Sequence, residues 1–363
     1  MAELKKLANQ TIIYGSTTII GRLLNYLLVP FHTYIFLDPK NYGVVGEMYA
    51  WVALLMVVLT YGMETTFFRF SSMHEDKPKV FSTSFWMIFS TTSLFLVLSL
   101  VFSQPIADIL KYPSHPEYIR WFSIIVSFDV ISSIPFARLR AENKALRFAF
   151  IKIANIVLTV LFNLFFLWFC PLMISKGIAV SFFSLIYQAE IGVGYIFIAN
   201  LLASSIQMLM LLSTCKGLKF HINRALLKPM LKYTLPLLVL GLAGIVNETL
   251  DRILIKNLSA DNLNDAMHNV GVYSACFKIA VIMSLFIQAF RYSAEPFFFE
   301  QFKEKDAKTA YSVVMTYFVI VCSLIFLGTT LYLDFIKYFV SKPYHEGLHI
   351  VPPVLLAYMM LGI

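Results

Sequence analysis

An all-α, polytopic membrane protein of two six-helix bundles, related by a parallel repeat and with the second bundle incomplete, is the fold class this sequence predicts. Three observations predict it. Of 363 residues 59% are hydrophobic and only 14% charged, with a mean hydropathy of +0.74. Soluble domains run at roughly 45–50% apolar and about 25% charged. Apolar runs of about twenty residues recur along the whole chain, the length a helix needs to cross a bilayer. A short motif also recurs 228 residues after its first appearance, as Gly43 and Gly271. The composition excludes a soluble enzyme, a disulfide scaffold and a disordered chain. Stretches such as Val52 to Leu59 and Leu94 to Phe102 are apolar on nearly every face, whereas a barrel strand alternates. Helices are the alternative that satisfies its own backbone in lipid.

Hydropathy predicts helices over 11–36, 43–68, 82–104, 119–139, 148–170 and 191–213, and then over 232–257, 270–296, 310–335 and from about 350 onward. The last holds only Val351 to Ile363, too little to span, so the chain is expected to stop inside a helix. The apolar stretch behind Lys5 and Lys6 is too long for a signal h-region and lacks a small-residue cleavage site, so it is expected to remain as the first span. Cys170, Cys215, Cys276 and Cys322 are widely separated and form no CxxC pair, which reads as core packing, not a disulfide framework or a zinc site.

The net charge of +8 would suggest nucleic acid in a soluble protein, but here the basic residues sit mostly between spans. Of the 29 Lys and Arg, seventeen fall on the side of the N-terminus and seven on the other, and five lie within spans. Cytoplasmic loops retain basic residues. The expected partner is therefore the bilayer and not nucleic acid, with the N-terminus cytoplasmic.

Asn41-Tyr42-Gly43-Val44 recurs as Asn269-Val270-Gly271-Val272, each opening the second helix of its set. Thr66-Phe67-Phe68 before an inner charged loop is likewise echoed by Pro296-Phe297-Phe298. Six spans, an even number, separate the copies, so both halves enter with one orientation, as in parallel repeats. The expected division is an N-terminal lobe over 1–213, a basic cytoplasmic linker over 214–230, and a C-terminal lobe over 231–363 truncated within its fourth helix. On the same offset the second half is about eighty residues short, at least two helices.

Ionisable residues inside spans cost about 2.5–3.5 kcal/mol each on the insertion scale and face interiors. Arg22, Glu47, Glu64, Glu248, Asp251, Arg252, Lys278, Arg291 and Glu295 crowd the first, second, seventh and eighth helices, and Asp129 is added by the fourth. Those helices are expected to line something wet. Arg22, with Asn25 on an adjacent face, suits bidentate capture of phosphate; the alternative is an ion pair with Glu47, Glu64 or Asp129. Arg252 follows Glu248 by one turn, the spacing of a local salt bridge, and Arg291 and Glu295 repeat it in reverse as a pair or gate. Glu47, Glu64 and Asp129 are candidates for ion or proton coupling, since a membrane carboxylate can be held protonated and released when a cavity wets. Lys152 is expected to snorkel to water. Pro30, Pro135, Pro236 and Pro296 are expected to break or bend their helices.

His345-Glu346-Gly347-Leu348-His349 matches H-E-x-x-H, which in zinc peptidases places two imidazoles and a base on one helix. Gly347 inside it, Pro352 and Pro353 after it, and the lack of a third ligand point instead to an outer loop and helix start. The run Arg138 to Arg147 can contact anionic head groups at about 1 kcal/mol per charge, or simply fix topology. No catalytic residue, cofactor or metal site is expected.

Gly21-Arg22 followed by Asp38-Pro39-Lys40-Asn41-Tyr42-Gly43, then Tyr233-Thr234-Leu235-Pro236 with Asp251-Arg252, and Gln288-Ala289-Phe290-Arg291 resemble, in order and spacing, the polysaccharide flippase branch of the multidrug/oligosaccharidyl-lipid/polysaccharide exporter superfamily. The resemblance covers the whole chain. It implies a bacterial O-antigen or capsule repeat-unit flippase: two six-helix bundles around a cationic cavity moving an undecaprenyl-diphosphate-linked oligosaccharide across the inner membrane by alternating access. It also implies that Arg22, Arg252, Arg291 and Lys278 hold the diphosphate and acidic sugars; Asn25 beside Arg22 is read as joining them, and Asp129, Glu47, Glu64, Glu248, Asp251 and Glu295 as the candidates for coupling or gating. Polysaccharide polymerase machinery is an implied partner. A cation-coupled drug exporter is the main alternative, against which Arg22 stands; a lipid II flippase needs the same anion site. A glycosyltransferase or polymerase would need a long outer catalytic loop, which the sequence lacks.

Overall fold

The computed structural model describes residues 2–219, 222–301 and 307–362, with side chains over 15–219, 222–291, 294 and 311–362. Among these the chain is helical throughout, without strands. The elements are α1 (Ala2–Ile35), α2 (Pro39–Thr60), α3 (Met63–Met73), α4 (Lys77–Val101), α5 (Ser103–Ile109), α6 (Pro116–Ala141), α7 (Ala145–Leu164), α8 (Cys170–Ser175), α9 (Val180–Ile186), α10 (Gly194–Leu212), α11 (Arg224–Leu258), α12 (Leu263–Gln301), α13 (Ala307–Leu331), α14 (Leu333–Ile336) and α15 (Val351–Gly362). Eight helical stretches among the described residues are long and apolar enough to cross a membrane. The protein is a multi-pass membrane protein. The helix α1 is not among the eight; Thr17, Thr18, Arg22, Asn25 and His32 make it more polar than its neighbours.

Two compact units divide the chain: Met1–Gly46 with Ile255–Ile363, and Glu47–Leu254. In the first, α12 packs against α1, α13 and α15. Where α2 begins, Gly43 and Gly271 of α12 meet backbone to backbone. A Cβ on either would stand 3.1 or 3.0 Å from the other's amide nitrogen and collide with the carbonyl of Met267 or Pro39. Gly46 lies against Ser274 in the same seam. Small residues permit helix backbones to approach this closely, the usual basis of tight packing in lipid.

The segment after α14 is stitched to the end of α1. Ser341 Oγ donates to Thr33 O (2.6 Å), Tyr344 OH to Phe36 O (2.6 Å) and Tyr34 OH to Tyr338 O (3.0 Å). Each uses up a carbonyl that the helix end or loop would otherwise leave without a partner.

In the second unit α6 is the central helix, packed on α4 and α10. Val126, Val130, Ile134 and Ala137 of α6 meet Val80, Phe81, Phe85 and Ile88 of α4 and Met63, Phe67 and Phe70 of α3. Arg138 Nη1 donates to the carbonyls of Thr214 (2.9 Å) and Lys216 (3.0 Å), and Trp86 Nε1 to that of Lys219 (2.9 Å). Ser82 and Thr83 hydroxyls accept from the Lys219 and Asn223 amides (3.1 and 3.2 Å). The basic connection after α10 is thus pinned to α4 and α6.

Two local departures from expectation have physical causes. The second predicted span is divided at Tyr61 and Gly62, whose φ of 37° and 71° are left-handed. Glycine takes that conformation at no steric cost, and Thr66 N and Oγ1 then bond Gly62 O to restart the helix (3.2 and 3.1 Å). The fifth span passes through a π-turn at Phe165–Phe169 before α8. Pro171 has no N–H and crowds the turn before it, and a wider turn accommodates it. Conversely Pro30, Pro135 and Pro236 lie inside unbroken helices, and α12 likewise continues past 296.

Candidate functional site

The predicted site residues separate by unit. Arg22 and Asn25 on α1, Lys278, Arg291 and Glu295 on α12 belong to the first; Glu47, Glu64, Asp129, Glu248, Asp251 and Arg252 to the second. Four of the five proposed phosphate ligands thus stand on two helices packed against each other. Arg22 and Asn25, three residues apart, share a helix face. Both are exposed, as is Arg291, while Lys278 is half-buried. Among the described residues neither Arg22 nor Arg291 has a carboxylate partner. The Glu295 side chain lies outside the described residues.

The carboxylates of the second unit are engaged. Glu47, 2% exposed, accepts from Tyr112 OH (2.5 Å) and Trp51 Nε1 (3.3 Å). Glu64 pairs with Arg140, whose guanidinium also lies over the Phe68 ring (5.0 Å) and faces Phe148 (5.8 Å). Asp129 accepts from Ser204 Oγ (3.0 Å) and Gln207 Nε2 (3.4 Å), and the charge of Lys152 attracts it. Lys152 does not snorkel outward as expected: its Nζ stands over the Phe136 ring at 4.3 Å, because Asp129 and the ring offer a partner within the protein.

The expected local bridge of Arg252 to the Glu248 carboxylate is replaced by a different one. Arg252, 8% exposed, donates from Nη1 to the Glu248 backbone carbonyl (2.7 Å) and to Asp251 Oδ1 (3.0 Å). The Glu248 carboxylate faces outward, since the residue is exposed. A guanidinium satisfied by its own helix in this way has fewer donors left for a ligand.

The H-E-x-x-H residues diverge. His345 Nε2 bonds Val340 O (3.1 Å), His349 Nδ1 bonds the Glu346 carbonyl (2.8 Å), and the Glu346 carboxylate pairs with His268. The segment is a 3₁₀ helix, Lys342–Ile350, whose three-residue turn does not align positions four apart. No group of three potential metal ligands occurs among the described residues.

Sequence reasoning missed the roles of Arg140 and Tyr112. Arg140 reads as one of many loop cations and Tyr112 as a loop aromatic; neither spacing carries a signal, because both partners are distant in the chain.

Comparison with known proteins adds to this geometry. Among solved structures, an inward-facing conformation of a multidrug resistance MATE family transporter of the MOP superfamily is similar to this chain. The two share 14% identity and a TM-score of 0.64 over 93% of this chain and 80% of that one. No curated protein matches. The profile of the family described as polysaccharide biosynthesis protein matches residues 7–302. A polytopic helical chain with the fold of a MOP-superfamily transporter, matched over most of its length by that profile, belongs to the polysaccharide biosynthesis protein family.

Proposed function

We propose that this protein is a flippase for an undecaprenyl-diphosphate-linked oligosaccharide, an O-antigen or capsule repeat unit, which it moves across the bacterial inner membrane by alternating access. The observation that carries the reading is the family match over residues 7–302 on a transporter fold. Exposed cations on a membrane helix support it, since an intramembrane charge marks a substrate path. In this reading the N-terminus is cytoplasmic, the lobes run over 1–213 and 231–363, and polysaccharide polymerase machinery receives the product. Arg22 is the principal diphosphate ligand, aided by Asn25, Lys278, Arg291 and Arg252. Of the carboxylates, Asp129 is the favoured coupling residue, because serine and glutamine partners can serve either protonation state. Glu47, Glu64, Glu248, Asp251 and Glu295 hold secondary gating roles.

The test is surface glycan in a bacterium lacking its own O-antigen flippase and supplied with the matching sugar pathway. The wild-type chain restores export, Arg22→Ala loses it, and Arg22→Lys recovers little, because a point charge does not replace a bidentate fork. Full activity of Arg22→Ala would overturn the assignment. No restoration by a well-inserted wild type would favour a cation exporter.

A further inference from the structure

At the end of the second unit where α3 and α6 finish and α4 begins, a cavity of about 400 Å³ is lined by Phe67, Phe68, Phe81 and Pro78 on one hand and Ser71, Ser72, Lys77, Arg138 and Glu142 on the other. Its polar groups are already organised. Arg138 lies over the Phe81 ring at 4.5 Å, its Nε is held by Glu142 (2.6 Å), and its Nη1 by the two linker carbonyls. The guanidinium is therefore fixed, and its Nη2 donors have no acceptor among the described residues. Glu142 opposes an anion, but it is spanned by Arg138 and Lys144 (2.6 Å). Burial alone would raise its pKa, yet hydrogen bonds from Lys144 and Arg138 outweigh that and hold it below the ordinary carboxylate value. Its charge is thus offset by two cations. Lys77 is exposed and in no ion pair among the described residues, since Asp76 is taken by Lys79. Ser71 is 6% exposed, and its hydroxyl has no hydrogen-bond partner among the described residues.

A free anion would use the cations and leave the rings unused; a neutral apolar chain would do the reverse. We propose that this cavity binds the phosphate of an anionic membrane phospholipid between Lys77 and Arg138, with the first carbons of its chains against Phe67, Phe68 and Phe81. None of the lining residues is among the flippase ligands proposed above. A rotation of Ser71 about χ1 would add a neutral donor to the phosphate.

The purified full chain in detergent is titrated with short-chain phosphatidylglycerol and with phosphatidylcholine, and retained lipid is read by native mass spectrometry. The wild type keeps phosphatidylglycerol preferentially. Lys77→Gln weakens it about fivefold, the scale of one surface charge near a lipid, and Arg138→Lys weakens it similarly. Lys79→Gln, a neighbouring exposed lysine outside the lining, leaves binding unchanged, and the melting temperature of Lys77→Gln equals that of wild type. Equal retention of the two lipids, undiminished binding in Lys77→Gln, or an equal loss in Lys79→Gln would overturn the proposal. Displacement of the lipid by millimolar inorganic phosphate would overturn it in favour of a free-phosphate site.

Discussion

Gly43 and Gly271, the glycines of the repeated sequence motif, pack against each other, each helix backbone filling the space that a side chain on the other would need. The two copies of the motif therefore meet at their own glycines.

Replacing either glycine with alanine inserts a methyl group into backbone. The expected loss is about 1–3 kcal/mol, the cost of overpacking a tight seam, and valine should abolish monodisperse protein. Gly244→Ala and Gly328→Ala, which meet nothing within 4 Å, should be neutral or stabilising by about 0.5–1 kcal/mol, the helix preference for alanine. Thermal unfolding in detergent separates the two classes.

Tyr112→Phe removes a hydrogen-bond donor from the buried Glu47 carboxylate and should cost about 1–3 kcal/mol at neutral pH. Burial, and then the Glu47 charge, hold the Tyr112 phenol above its ordinary value of 10.0. The unfolded chain releases that proton first. The stabilising contribution is therefore complete below about pH 10 and declines as pH rises through the folded value. Melting curves of wild type and Tyr112→Phe should converge above that pH, and a constant gap would refute the assignment.

Asp129 and Lys152 should be energetically coupled. Asp129→Asn and Lys152→Met each destabilise, while the double variant loses less than their sum, with an interaction of about 0.5–3 kcal/mol in a double-mutant cycle. Strict additivity would mean that the two charges do not interact.

Export by this protein should survive a strong chelator, and His345→Ala with His349→Ala should retain glycan at the surface, because these imidazoles bond backbone carbonyls. Loss of export on chelation, recovered by zinc, would restore a metal role.

The spans were legible because hydropathy over some twenty residues sums many small, same-signed contributions. The predicted 119–139 and 191–213 helices lie within about three residues of α6 and α10 at each end. Less legible were events decided by one residue or by distant partners. The break at Tyr61 and Gly62 needs a left-handed φ that Gly62 permits but does not demand. The partner of Arg252 depended on rotamer choice between Glu248 and Asp251, both within reach on one helix. Arg140 beside Glu64 depended on how α3 and α6 cross, which no local pattern encodes.

The connection after α10 carries Lys216 and Lys219, two bonds that trypsin would ordinarily cut. Yet the carbonyls of both lysines are occupied, by Arg138 and Trp86, and a protease must draw its substrate out straight before cleaving it. This stretch behaves less as a leash than as a hinge plate screwed to α4 and α6. A probe attached at residue 216 should therefore report the environment of α4 and α6.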